Sequence, residues 1–497
     1  MATVVVIGAG FSGLSAACVL AHAGMDVIVV ERHEVPGGRA RSFTAKGFLF
    51  DMGPSWYWMP DVFEKFFQRF DKHPSDYYDL KRLDPSYQVM YPNGVHHDVP
   101  ADMQELRHLF ESLEAGSAVV LDRFLLEARE KYQAAMHDMV YRPGLALREL
   151  FDMRLVKQLF RMDLFKSMRR LAHGNFKSAE LRQLIEFPVL FLGATPQDTP
   201  ALYSLMNYAD MCLGTWYPMG GMYQVVKGLE QLARTLGVQF QYNSEVGDLE
   251  VNDEGIEALH VNGGRMACDY VVAAGDYHHF EHALLPVEKR RYPPKYWKSR
   301  TFAPSCLIYY LGVNRKVNGL RHHNLFFDTD FDKHAAQIYS KPEWPSAPQF
   351  YVCCPSKTDP SVAPAGMENL FVLIPVATGL SDSQEVRLHY FDYVISRMKR
   401  YCDLDVASII YRRSYAHSDF SSDYFAFGGN AYGLANTLSQ TAHLKPSIIN
   451  KKVPNLFYTG QLTVPGPGVP PALISGQLAA TELLNKHYTR ECHERAI

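Results

Sequence analysis

The stretch TVVVIGAGFSGLSAACVLAHAGMDVIVVERHEVPGGR, running from Thr3 to Arg39, decides the fold. Thr3 to Ile7 is β-branched and apolar, the composition of a buried parallel strand. Gly8, Gly10 and Gly13 then punctuate a turn into a helix, and each serves a different end. Gly8 permits the tight turn, Gly10 removes the Cβ that would keep a pyrophosphate away from the backbone, and Gly13 lets the helix lie close on its strand. Phosphates placed there meet the unpaired N–H groups and the positive end of the helix, with Ser12 in the first turn. Ala16, Ala17 and Leu20 continue the helix, Gly24 ends it, and Asp26 to Val30 forms a second strand. Glu31 follows where a carboxylate accepts from ribose hydroxyls, with Arg32 beside it. Glycines at this spacing alone say little, but strand, turn, helix, strand and acid in that order predict an α/β dinucleotide-binding fold.

Gly37, Gly38 and Arg39 follow the acid, and Asp51, Gly53 and Pro54 follow those. On these residues the chain resembles the flavin amine oxidase and carotenoid desaturase superfamily, whose members carry GGR after the second strand. The resemblance implies FAD, with Arg39 and Arg41 near its phosphates and Gly38, Gly53 and Pro54 among the contacts. Arg41 taken alone reads equally as a solvated surface arginine.

At 497 residues the chain exceeds one compact core, so two or three domains are expected. Hydrophobic residues make up 47%, enough to fill them. Fifty basic against 53 acidic side chains give a net charge of −3, which supplies no concentrated positive field and argues against a nucleic-acid partner. Cys18, Cys212, Cys268, Cys306, Cys353, Cys354, Cys402 and Cys492 show no CxxC pair and no histidine at ligand spacing, so no metal site is expected and the thiols read as reduced. The first strand begins at Thr3, leaving no cleavable leader, and no apolar run is long enough to span a bilayer. The expectation is a non-secreted protein that can still lie on a membrane surface.

Two later blocks read as parts of the same cofactor fold. In 216 to 276, a glycine turn precedes an amphipathic helix with Val225, Leu229 and Leu232 on one face, then strands around Val238 to Tyr242, Val246 to Val251 and Asp269 to Ala273. The superfamily layout implies that Val246 packs on adenine and that Ala274 and Gly275 approach the phosphates, although Val246 alone reads as readily as a core valine. In 455 to 484, a strand at Leu456 to Tyr458 leads to Gly460, a stiff loop from Val464 to Pro470 and a helix whose first turn accepts Pro470 and Pro471. That helix N-terminus, with Val469 and Pro470, is placed to favour negative charge on a reduced flavin ring.

The stretch 105 to 215 is helical in pattern. Within 154 to 171, Leu155, Leu159, Met162, Phe165 and Met168 share one side while Arg154, Lys157, Arg161, Arg169 and Arg170 flank it. This reads either as a membrane-interface helix or as a lid with a solvated basic face. Residues 291 to 440 mix strands at Cys306 to Val313, Phe350 to Cys353 and Leu370 to Pro375 with polar loops, and the tail after Tyr488 reads as disordered.

GNAYGLANTLSQTAHLKPS, from Gly429 to Ser447, together with TGQLTVPGPGVPPALISG, closely resembles bacterial phytoene desaturases across essentially the whole chain. The resemblance implies an α/β protein with a Rossmann-like FAD-binding domain assembled from 1–85, 216–290 and 440–497. It implies a mixed-sheet substrate domain from 86–104 and 291–439, and a helical lid or membrane-facing insertion from 105–215. It further implies stepwise desaturation of phytoene toward lycopene by a peripheral enzyme on the cytoplasmic face of a membrane, with oxygen or a quinone as electron acceptor. One departure is Gly460–Gln461, where flavoproteins of this superfamily often carry Gly–Asp against the ribityl chain. Alternatives are a desaturase of thirty-carbon or hydroxylated carotenoids, a flavin-dependent carotene cis–trans isomerase, an amine oxidase, or a non-catalytic isoprenoid carrier. A carotene offers no carbonyl, amine or hydroxyl, so hydride removal falls to the cofactor and no catalytic side chain is assigned; His417, Asp419 and Asp423 read as loop residues. Tunnel candidates are Phe187 to Leu192, Tyr203 to Tyr208, Trp216, Tyr217 and Phe425 to Phe427.

Overall fold

The computed structural model describes residues 1–145, 166–437 and 440–495. Strand β1 (Thr3–Ile7) lies at the centre of a five-stranded parallel sheet, with Val4, Val5 and Val6 fully buried, as a β-branched run between two helical layers must be. Strand β2 (Asp26–Val30) pairs on one side, Thr3 opposite Asp26 through Ile7 opposite Val30, and Tyr270–Ala273 pairs on the other. Gln239–Gln241 and Leu456–Tyr458 form the edges. One sheet is therefore built from three stretches of chain far apart in sequence.

Helix α1 (Phe11–His22) crosses from β1 to β2 and is packed between neighbours on both sides. Cys18 Sγ approaches Leu229 O on the helix Tyr223–Thr235, and Ser15 Oγ donates to Leu473 O at 2.6 Å on the C-terminal helix Val469–Arg495. That contact is so close that a Cβ on Gly476 would stand 2.1 Å from Ser12 O.

The second large sheet has seven strands, in the order Ile409–Tyr415, Ser305–Val313, Glu368–Val376, Phe350–Cys353, His323–Phe326, Tyr87–Met90 and His96–Val99. Its spine is the antiparallel pair Ser305–Val313 and Glu368–Val376, in register from Ser305 opposite Val376 to Val313 opposite Glu368. A three-stranded antiparallel sheet, Val246–Val251, Ile256–Val261 and Gly264–Ala267, flanks the parallel one. Helices Met103–Leu113, Ser117–Ala134, Met168–Asn175 and Ala179–Glu186 belong to the predicted helical stretch.

Most of the amphipathic segment expected over 154 to 171 lies outside the described residues. Its described end is the helix from Met168, where Met168 and Leu171 are buried and Arg169 pairs with Glu186 at 2.9 Å and Asp332 at 2.6 Å. Arg169 thus faces the protein. The tail after Tyr488 departs from expectation, since the helix continues to Arg495. Propagation adds a hydrogen bond per residue once a helix is nucleated, and the Arg and Glu residues there are good helix formers. All eight cysteines are free. Among the described residues no helix is long and apolar enough to cross a membrane.

Candidate active site

A cavity of about 520 Å³ lies between the two large sheets, within the size range of ligand sites. Gly8, Gly10, Ser12, Glu31, Arg32, Gly38, Arg39, Gly53, Pro54, Val246, Gly275, Gly460, Gln461, Val469 and Pro470 all stand on its wall. Of the residues expected at the cofactor, Gly13 and Arg41 do not line it. Gly13 has a packing role. It faces the sheet, where a Cβ would stand 2.0 Å from Gly8 O, so its part is to let α1 approach β1.

The phosphate end follows from the turn. Gly8 has φ 105°, open to glycine but strained for other residues, and its N–H donates to Val30 O at 2.8 Å. Gly10 caps α1 without a side-chain bond, and the first turn carries no acid. A Cβ on Gly10 would meet nothing within 4 Å. The chain has left open the space in front of a helix N-terminus, and a dinucleotide pyrophosphate fits that space by shape and by sign. Arg39 adds to the fit, because its Nε is buried and has no hydrogen-bond partner.

Around this end the charged groups hold one another. Glu31 is 5% exposed, and its two oxygens accept from Ala9 N at 2.8 Å and His33 N at 2.9 Å, leaving lone pairs for ribose hydroxyls. Arg32 stacks its guanidinium 4.1 Å over Phe425 and lies 3.6 Å from Glu245. Arg39 donates to Asn430 O at 3.2 Å, and the side-chain amide of Gln461 lies 3.0 Å from that of Asn430 and accepts from Arg39 at 3.0 Å when its oxygen faces the guanidinium. Asn430 therefore ties the GGR segment to the loop after Leu456–Tyr458. Arg41 is not a solvated surface residue; it pairs with Asp423 at 3.0 Å and bonds Tyr424 Oη. Asp276 also lines the cavity, and burial raises its carboxyl above the ordinary range. Asn430, Asp276 and Tyr424 were not singled out by sequence. Asn430 directly follows Gly429 in the GNAYGLANTLSQ stretch and Asp276 directly follows the Ala274–Gly275 turn, so the local sequence carried a signal for both.

The remaining wall is mostly aromatic and aliphatic, with uncharged polar groups such as Tyr339, Gln349 and Tyr432 among them. Trp56, Trp58, Phe187 and Phe327 form a chain of ring contacts, with centroids 5.2 Å apart for Trp56–Trp58, 6.2 Å for Trp58–Phe187 and 6.0 Å for Phe187–Phe327. Met206, Leu325, Ile338, Phe350 and Leu373 extend it. His334 is held neutral by burial, its pKa lowered to about 4; its Nδ1 accepts from Gln349 N and its Nε2 bonds Pro375 O. Of the tunnel candidates, Phe187, Met206 and Phe425 reach the cavity. Trp216 and Tyr217 do not, because they lie on the short strand Trp216–Pro218 paired with Leu80–Arg82. The side chains of 190–192 lie outside the described residues. His417 is buried against Ala377 O and Asp419 caps the helix it begins, whereas Asp423 does reach the cavity wall.

The family model of flavin containing amine oxidoreductase matches residues 11–484. The chain belongs to the flavin-containing amine oxidoreductase family. A carotenoid 3,4-desaturase of Haloarcula japonica is 42% identical over 483 residues, covering 97% of this chain and 98% of its own. A zeta-carotene-forming phytoene desaturase of Myxococcus xanthus is 31% identical over 490 residues, 97% of this chain and 93% of its own. A solved structure of putrescine oxidase bound to putrescine shares the fold, with a TM-score of 0.60 at 15% identity over 97% of this chain and 99% of that one.

As a member of this family the protein is an FAD-dependent oxidoreductase, in keeping with the open, unacidic helix start and with Arg39. Its cavity joins two environments. Charged side chains on the wall (Glu31, Arg32, Arg39, Glu245, Asp276 and Asp423) gather on the side of the dinucleotide turn, Asp423 reaching it from the helix His417–Tyr424, whereas the aromatic stretch carries none among the described residues. A substrate lying along the aromatic wall meets dispersion and water exclusion, with no carboxylate among the described residues to receive an ammonium group.

Proposed function

We propose that this flavoenzyme is a carotenoid desaturase that introduces a carbon–carbon double bond into a long acyclic polyene. The observation carrying this reading is the uncharged aromatic wall opposite the cofactor segments. An amine, cationic at neutral pH, would have to be desolvated there without a counter-charge, at a cost of several kcal/mol. A hydrocarbon moving from lipid into the same wall changes environment little, since each buried CH₂ is worth about 0.8 kcal/mol in either place. The two curated relatives, a carotenoid 3,4-desaturase and a phytoene desaturase, support the same class.

Gly8, Gly10, Ser12, Glu31, Arg32, Gly38, Arg39, Gly53, Pro54, Val246, Gly275, Gly460, Gln461, Val469 and Pro470 would hold FAD, which supplies a hydride acceptor when bound. The chain does the rest. The aromatic wall sets the polyene beside the Gly460–Val469 loop and keeps water from the carbon that loses hydride. The start of the helix Val469–Arg495 presents its positive end to the cavity. We place the protein on the cytoplasmic face of a membrane, peripherally, drawing substrate from lipid and passing electrons to oxygen or a quinone.

Of the substrates in this class, we favour desaturation at the 3,4 position of an already conjugated carotenoid, because the relative bearing that name is the more similar by 42% to 31%. Conversion of phytoene toward lycopene is the second reading. The purified FAD-loaded protein, given liposomes containing either lycopene or 15-cis-phytoene, under air and then with a quinone, separates them. Loss of two hydrogens and a red-shifted spectrum from lycopene alone are expected. Stepwise loss from phytoene would move the assignment to the second reading, an isomerised product of unchanged mass would replace desaturation with isomerisation, and oxidation of added amines with peroxide release would overturn the proposal.

A further inference from the structure

The seven-stranded sheet gathers three side chains of metal-ligand chemistry that the cysteine spacing along the chain does not reveal. His323 begins the strand His323–Phe326 and stands directly opposite Cys353 in the antiparallel pair with Phe350–Cys353, so the two side chains share a face. His322 precedes it. One ligand atom from each of His322, His323 and Cys353 lies within 4.8 Å of the others, and all three residues are buried.

The way the imidazoles are held is specific. His322 Nδ1 lies 2.7 Å from Thr358 Oγ1, and His323 Nδ1 lies 2.6 Å from Tyr351 Oη. In each ring the other nitrogen, Nε2, is buried without a hydrogen-bond partner. Histidines that bind metals are oriented in this manner, one nitrogen fixed by an outer partner and the other free. Beside Cys353 is a void of about 20 Å³, also lined by Asp51, Ser55 and Tyr217, which is room for one water.

We propose that His322 Nε2, His323 Nε2 and Cys353 Sγ form a structural site for a zinc-class divalent metal, completed by a water in the adjacent void. Two imidazoles and a thiolate suit zinc or cobalt, and hard cations such as magnesium are excluded by the ligand set. Tetrahedral metal–ligand lengths of about 2.0–2.3 Å put ligand atoms roughly 3.5 Å apart, inside the 4.8 Å that bounds these three. None of the three residues stands on the wall of the large cavity. Trp56, which lines the cavity, lies flat on His323 with centroids 4.0 Å apart and planes at 9°, so the metal would fix the wall against which substrate rests.

The test uses the full-length FAD-loaded protein without a histidine tag. Its zinc content is measured by elemental mass spectrometry, and after chelation it is titrated with cobalt. About one metal per chain is expected, with visible tetrahedral cobalt bands and a near-ultraviolet thiolate-to-cobalt band. Cys353→Ala and His323→Gln should each weaken cobalt binding at least tenfold, about 1.4 kcal/mol, while flavin content reports that the variants are folded. Should either variant fail to fold, the near-ultraviolet thiolate-to-cobalt band of the unaltered protein gives the same answer. Absence of both zinc and a cobalt spectrum overturns the proposal, as does cobalt binding without the sulfur band.

Discussion

Lys445 carries an amino group that is buried, 3% exposed, and has no hydrogen-bond partner among the described residues. Burial lowers its pKa from the ordinary 10.5 to about 7. Its Cε stands 3.3 Å from where a Cβ on Gly466 would be, so the chain packs the lysine stem against the loop leading to Pro467 and Gly468 on the cavity wall. Between pH 7 and 10.5 the unfolded chain holds a proton on this residue that the folded chain has released. Stability therefore rises with pH through that window, and below pH 7 the folded state carries the full cost of a desolvated ammonium. Lys445→Met keeps the volume and removes the charge. It should stabilise the protein by a few kcal/mol at pH 6, on the order implied by the shift, with the gain shrinking toward pH 10. Denaturant midpoints of both proteins at the two pH values measure this, and an equal midpoint difference at both would show that the amine is not the source.

Around α1 the glycines separate by what their missing Cβ makes room for. Gly13 makes room for Gly8 O at 2.0 Å, and Gly476 makes room for Ser12 O at 2.1 Å, so both serve packing. Gly10 faces open space in the cavity and serves a ligand. Gly13→Ala and Gly476→Ala should each lower stability by about 1–3 kcal/mol through overpacking. Gly10→Ala should leave the unfolding of the cofactor-free protein within about 0.5 kcal/mol while weakening FAD binding on the order of tenfold or more, seen as lost flavin absorbance after gel filtration. The same contrast shows how far the sequence could be read. The β-branched run, the glycine turn and Glu31 are local, so β1, α1, β2 and the neighbouring cavity were legible from Thr3 to Arg39. Gly476 was not, because its demand comes from Ser12 on another helix. Trp216 and Tyr217 look like tunnel aromatics until the pairing with Leu80–Arg82 turns them elsewhere. His323 and Cys353 likewise meet only through an antiparallel register set by two strands separated by a helix and a long loop.

For the molecule as a whole, the decisive property is the division of one cavity into a charged end and an aromatic end, each backed by its own sheet. The parallel sheet supplies the turn, Glu31 and Arg32, and the seven-stranded sheet supplies Leu325, Phe350 and Leu373. The sequence foretold both environments but not where they meet, since the strands around Phe350 and Leu373 carry no motif. The division also makes the function testable without touching the cofactor. Ile338 lies on the helix Phe331–Tyr339, reaches the cavity and is not fully buried, so a carboxylate there can remain hydrated in the unliganded protein. When a polyene enters, that carboxylate must lose its water against hydrocarbon. Ile338→Glu should therefore retain FAD and its reduction by dithionite while kcat/KM for a carotenoid in liposomes falls on the order of a hundredfold, the cost of desolvating one polar group without a partner. Ile338→Leu, with the same volume and no charge, should stay within about threefold, because volume-conserving apolar exchanges disturb packing little. If Ile338→Glu keeps full activity, the substrate does not lie along this wall, and the aromatic end of the cavity serves the protein's own packing instead.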